Sequence, residues 1–276
     1  MNEKLIIEKT FDDVNSFYKA SMTLTKDGNK SLFKTEINTD KIDFRGLSIS
    51  EIYKSRFSYK KGLDQLKEIE SNDYLVGTRK YKYDESDGDD INYDRLLDGF
   101  PALIKRVRGK VKGIGRIINI YVNIAEACYV SYKHMIHKAH TVIRLVDMLE
   151  EMGYRVCVYS CAYAERVGRL KGKEVDIIKL NICIKRPEEP IIKALLMTCI
   201  SPWFFRYYVF CYYHAICFTY DWLGHPLKFD KKSTNENIYI DNGECLNEIT
   251  ANKKIEEIKK LFSLEYEQEY KQNVYL

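Results

Sequence analysis

Five side chains in the middle of the chain are of types that can do chemistry: Asn123, Glu126, Ser131, Ser160 and Cys161. Asn123, Glu126 and Ser131 lie in "NIAEACYVS", directly after the apolar run "IINIYV". Oxygens gathered beyond the end of a strand can hold a cation or meet a partner. Ser160 and Cys161 are nucleophile types, but the sequence places no histidine near either, so neither has a base. We therefore assign no catalytic residue. His134, His137 and His140 suggest a metal, since each is three residues from the next. On a helix that spacing sets the outer two about 60° to either side of His137. They do not readily converge on one ion, so we read a wet basic face shared with Lys133, Lys138 and Arg144.

Two charge runs lie upstream. "YDESDGDDINYDRLLDG" holds seven acidic residues between Asp84 and Asp98. A calcium loop wants glycine at its sixth position and glutamate at its twelfth. Counted from Asp84 these are Asp89 and Arg95, so the run reads as a solvated loop. The sign then reverses in "KRVRGKVKGIGR". Lys105, Arg106, Arg108, Lys110 and Lys112 are the residues we assign to nucleic acid, if the chain binds any. No Gly-Lys-Ser/Thr follows, so this is no phosphate loop. The other reading is a charged approach to a buried strand, paired with the acidic loop before it.

The elements that position these groups follow from periodicity. Residues 116 to 124 predict a central parallel strand covered on both faces. Tyr132, Met135, Ile136, Ala139, Val142, Ile143, Val146 and Leu149 repeat at three and four, which predicts a helix over 131 to 152. Strands at 154 to 163 and 175 to 186 follow, joined by a hairpin. The helix is long enough for a parallel return, so the first two strands are parallel and the third antiparallel. Ser201-Pro202 splits the most apolar stretch into two core helices, with Ser201 as N-cap. "NIYI" is a last short strand and a closing amphipathic helix follows. Ser48 or Ser50 begins a helix near residue 50. Residues 1 to 45 give no firm periodicity.

The net charge of +4 on 276 residues marks no polycation. The eight cysteines read as buried free thiols, since no secretory leader is evident at the start. We expect a cytoplasmic chain without a membrane span, with association to a virion as the alternative.

The order strand, helix, strand, antiparallel strand over 116 to 186 resembles the opening of a von Willebrand factor A-type domain. The metal-binding members carry Asp-x-Ser-x-Ser in the loop after the first strand, and that motif holds magnesium. Asn123, Ala125 and Ala127 stand at those positions here, so the resemblance implies a site without its metal ligands. The chain also resembles a family of uncharacterised proteins from tailed bacteriophages and mobile elements, over residues 44 to 262. "DFRGLSISEIYKSRFSYKKGLDQL", "RIINIYVNIAEACYVSYKHM", "ALLMTCISPWFFRYYVFCYYHA" and "LGHP" carry that likeness. No activity comes with it.

These readings together give a doubly wound, mixed α/β sheet, von Willebrand factor A-like and so Rossmann-like, with helical additions. The domain runs from 46 to 265, between an extension at 1–45 and a tail at 266–276. The expected function is a non-enzymatic module that binds a host or phage protein through Asn123, Glu126 and Ser131, with no cofactor and no metal. A nucleic-acid-associated protein and an enzyme of unknown class are the alternatives.

Overall fold

The structure is a computed structural model, and it describes residues 5–24, 47–72, 81–84, 90–91, 96, 102–106, 116–170, 173–216, 218–219 and 225–274. The strand expected at 116 to 124 is β5 (Ile117–Asn123). Its even residues Ile118, Ile120 and Val122 are fully buried, while Ile117 is exposed and Asn119 and Tyr121 are half-buried. This is the period-two pattern of a strand with one dry face. The expectation of cover on both faces is therefore corrected. One face of β5 enters the core, and the other carries tyrosine at its centre.

Among the described residues seven strands make one mixed sheet. Its spine runs β1 (Ile6–Phe11), β7 (Lys173–Lys185), β6 (Arg155–Leu170), β5, β10 (Asn237–Ile240). Strands β5, β6 and β10 are parallel, and β7 is antiparallel to β6. The 20-residue helix α4 (Tyr132–Glu151) makes the crossover from β5 to β6. Both orientations agree with the sequence expectation. The hairpin arm is longer than expected, because β6 continues past Tyr163 to Leu170 and pairs with Lys173. Its register shifts between Glu165 and Gly168, where Arg166 takes a left-handed backbone (φ 54°). The short strands β8 (Phe218–Thr219) and β9 (His225–Pro226) pair with this outer part of β6. Strand β1 lies at the sheet edge, parallel to β7, and no periodicity announced it.

Helices fill the core side. Helix α1 is Val14–Leu24, α2 is Ile49–Lys54 and α3 is Lys60–Asn72. Ser48 caps α2 as expected: its hydroxyl accepts from the Glu51 amide, and the Glu51 carboxylate accepts from the Ser48 amide. Beyond the sheet, α5 (Lys193–Cys199) ends at the Ser201-Pro202 break. A π-helical turn (Phe204–Val209) and α6 (Phe210–Ile216) come next. Ser201 Oγ accepts the Phe204 amide at 3.3 Å, which is the capping role expected of it. Ser160 donates to the Cys199 carbonyl at 2.7 Å and Tyr213 to the Ala162 carbonyl at 3.0 Å, fixing this layer to β6. No described helix alone is long and apolar enough to cross a membrane. Lys193–Cys199 and Phe204–Tyr213 pass that test only as a pair, bent by 52°.

Helix α4 is buried almost all round. The sheet takes its apolar stripe, and α7 (Glu248–Val274) packs against it from beside. The wet histidine face is corrected accordingly: His134 is exposed, His137 half-buried, and His140 and Lys138 buried. A smaller antiparallel sheet has the order β2 (Tyr81–Asp84), β4 (Leu103–Arg106), β3 (Asp90–Ile91). Lys105 and Arg106, the start of the basic run, thus pair with β2, while β3, inside the acidic loop, pairs with Leu103 and Ile104.

Candidate functional site: a lysine clasp at the strand ends

Strand β5 leads through α4 to β6 on one side and has β10 as its other neighbour. Open α/β sheets bind ligands in the crevice beyond the carboxyl ends of strands at such a divergence. Asn123 ends β5, and Asp241 directly follows β10. The two side chains meet: Asn123 Nδ2 donates to Asp241 Oδ1 at 3.1 Å and to the Leu227 carbonyl at 2.8 Å. Asn123 Oδ1 accepts the Ala125 amide at 3.1 Å. The amide thereby ties down the turn that begins the loop.

The centre of the crevice holds an ammonium. Lys138 is fully buried on α4 and reaches back to the strand ends. Its Nζ donates to the carbonyls of Asn123 and Asp241, both at 2.9 Å, and to Glu126 Oε1. Three N–H groups thus find three oxygens, which is the whole donor capacity of a lysine. Glu126 is buried as well, and both its oxygens accept the Gly243 amide, at 3.1 and 3.0 Å. Gly243 has φ +76°, a left-handed backbone that glycine adopts without strain. That conformation aims its N–H at the carboxylate. Asp241 in turn accepts the Phe229 amide at 3.2 Å and the Asn242 amide at 2.8 Å. One cation therefore binds the β5–α4 loop to the β10–α7 loop.

A second cation holds the outer half of the loop. Arg206, buried in the π-helical turn, donates through Nη2 to the carbonyls of Ala127 at 3.1 Å and Val130 at 2.7 Å. Burial lowers its pKa, and the charge of Glu126 opposes that shift. Between these two anchors the tip projects: Cys128 is exposed and Tyr129 is 85% exposed.

The residues singled out from sequence are only partly brought together. Asn123 and Glu126 share the clasp, but Glu126 is no exposed charge and Asn123 offers no free hydrogen-bonding group at the surface. Glu126 is taken up by the ammonium and the Gly243 amide, and the Asn123 side chain by Asp241, the Leu227 carbonyl and the Ala125 amide. Ser131 stands half-buried as N-cap of α4, without a side-chain capping bond. Ser160 is buried against α5, and burial pushes the Cys161 thiol well above its usual range. Lys105 and Arg106 end β4, while Arg108, Lys110 and Lys112 lie outside the described residues. Among the described residues no group of three or more His, Cys, Asp or Glu side chains is placed to hold a metal.

Sequence reasoning missed Lys138, Asp241, Gly243 and Arg206. Signals existed for two of them. Lys138 precedes Thr141, Val142 and Leu145 at helical spacing, a row that turns out buried. Arg206 is a lone charge in an aromatic run, and a buried guanidinium must find acceptors.

No curated protein and no solved structure matches the chain. One family model does, described as a domain of unknown function, DUF7192, and it matches residues 2–266. A match over nearly the whole length, across the sheet, the clasp and most of the closing helix, makes the chain a member of the DUF7192 family.

Proposed function

We propose that this protein is a non-enzymatic interaction module with a von Willebrand factor A-like core, in which the Lys138 ammonium stands where a magnesium ion would be held. The observation that carries the reading is the Lys138 coordination: three oxygens, from the end of β5, its loop and the residue after β10, converge on one buried nitrogen. The strand order β7, β6, β5, β10, with β7 antiparallel, supports it. The Lys138 ammonium lies directly against the Glu126 carboxylate, so the loop keeps its shape without metal. Nothing in this clasp acts as a nucleophile with a base. The pinned, exposed Tyr129 then serves as the contact group, and aromatic anchors of this kind are enriched where interfaces concentrate their energy. The partner is a host or phage protein met in a bacterium carrying the element. In a Lys138→Met chain, loss of the pinned loop should appear as faster chymotryptic cleavage at Tyr129. Cleavage at the native rate would remove the clasp from the account.

A second reading has its own observation. In the small sheet Lys82 pairs in register with Lys105, and Tyr81 with Arg106. This backbone register gathers basic positions on two neighbouring strands, and clustered basic residues attract an anion. A phosphate backbone is such an anion, which keeps nucleic acid as the alternative partner.

A further inference from the structure

Cys157 and Cys183 sit on neighbouring antiparallel strands near the open end of the β6–β7 hairpin. A register shift between Val158 and Tyr159 skips Ile184 and brings the two side chains together, with their sulfurs 3.9 Å apart. They lie on the tyrosine-bearing face of the sheet, beside half-buried Tyr159, and each keeps a small exposure of 4% and 8%. Among the other described cysteines, Cys161 and Cys199 are wholly enclosed, Cys211 and Cys245 are buried, and Cys128 is exposed at the loop tip. The hydrogen bond between the paired thiols lowers the Cys157 pKa to about 7, with Lys185 as a lesser cause, and raises that of Cys183. A thiolate with an adjacent resolving thiol is the arrangement that oxidation selects.

We infer that Cys157 and Cys183 form a redox-active dithiol that closes to a disulfide on reaction with hydrogen peroxide. Cys157 thiolate attacks one peroxide oxygen. The O–O bond breaks, hydroxide leaves and takes a proton to become water, and Cys157 becomes a sulfenic acid. The Cys183 sulfur, giving its proton to solvent, attacks the Cys157 sulfur, and the S–O bond breaks to release a second water. Two thiols are oxidised by two electrons, and one peroxide is reduced. Closing the bond brings the sulfurs from 3.9 Å to about 2.0 Å. The bond would staple the central hairpin across 26 residues, independently of the clasp.

The test uses the full chain, treated with stoichiometric hydrogen peroxide, alkylated, digested without reductant and mapped by mass spectrometry. The expected product is one linked pair of peptides carrying Cys157 and Cys183, reversed by a thiol reductant. In Cys183→Ser, Cys157 should instead give a dimedone adduct, and in Cys157→Ser no linked pair should form. Alkylation of both cysteines after peroxide, or oxidation confined to Cys128, would overturn the inference. A Cys183→Ser chain that folds by circular dichroism yet gives no adduct at Cys157 would overturn it too.

Discussion

At the scale of single residues, the protein spends a lysine where its fold offers room for a ligand. Taking two charges out of water is costly, and their attraction offsets that cost only when every remaining polar group is satisfied. Here Lys138 has three acceptors and Glu126 has the Gly243 amide. Removing one partner strands the other charge. Lys138→Met should therefore cost about 3–5 kcal/mol in urea unfolding. Glu126→Gln should cost less, because the ammonium keeps its two carbonyls. The double variant should recover part of the Lys138→Met loss, giving a coupling energy of about 1 kcal/mol or more. Additive losses would mean that the two groups are not paired in solution. Arg206 is open to a separate check. Arg206→Gln frees the carbonyls of Ala127 and Val130, so chymotrypsin should cut after Tyr129 several-fold faster.

At the scale of elements, the aromatic core helices and the hairpin act as fixed mounts for the loops. Glu substitutions at Lys105, Arg106 and Arg108 together should abolish retention on heparin if the basic run carries nucleic-acid affinity. Unchanged retention would remove that segment. How far such elements could be read in advance depended on burial. Helix α4 and its flanking strands were legible because their apolar residues repeat at the period of the element. The β6–β7 hairpin was legible from its glycines, but its arm was underestimated. Its outer part pairs with β8 and β9, partners far along the chain. Edge strand β1 was illegible: of its six residues only Phe11 is buried, so "IIEKTF" carries no alternation. Lys138 and Asp241 were illegible for another reason. A buried polar residue looks like a surface one until the partner 103 positions away is placed beside it.

At the scale of the whole molecule, the sheet has one dry face and one tyrosine-bearing face. Tyr121 stacks between Tyr159 at 5.0 Å and Tyr239 at 5.2 Å, so β6, β5 and β10 are joined by side chains as well as by their ladders. Parallel strands are usually buried on both sides, and aromatic stacking covers backbone here that helices would otherwise cover. The loops at the carboxyl ends then depend on the Lys138 clasp to keep the crevice closed. A ligand raises melting temperature only by binding the folded chain. The central claim, that Lys138 supplies the cation itself, is tested most directly by the melting temperature of the native protein under magnesium or manganese titration. It should stay unchanged through millimolar metal. A rise of several degrees, lost on Asn123→Ala, would contradict it.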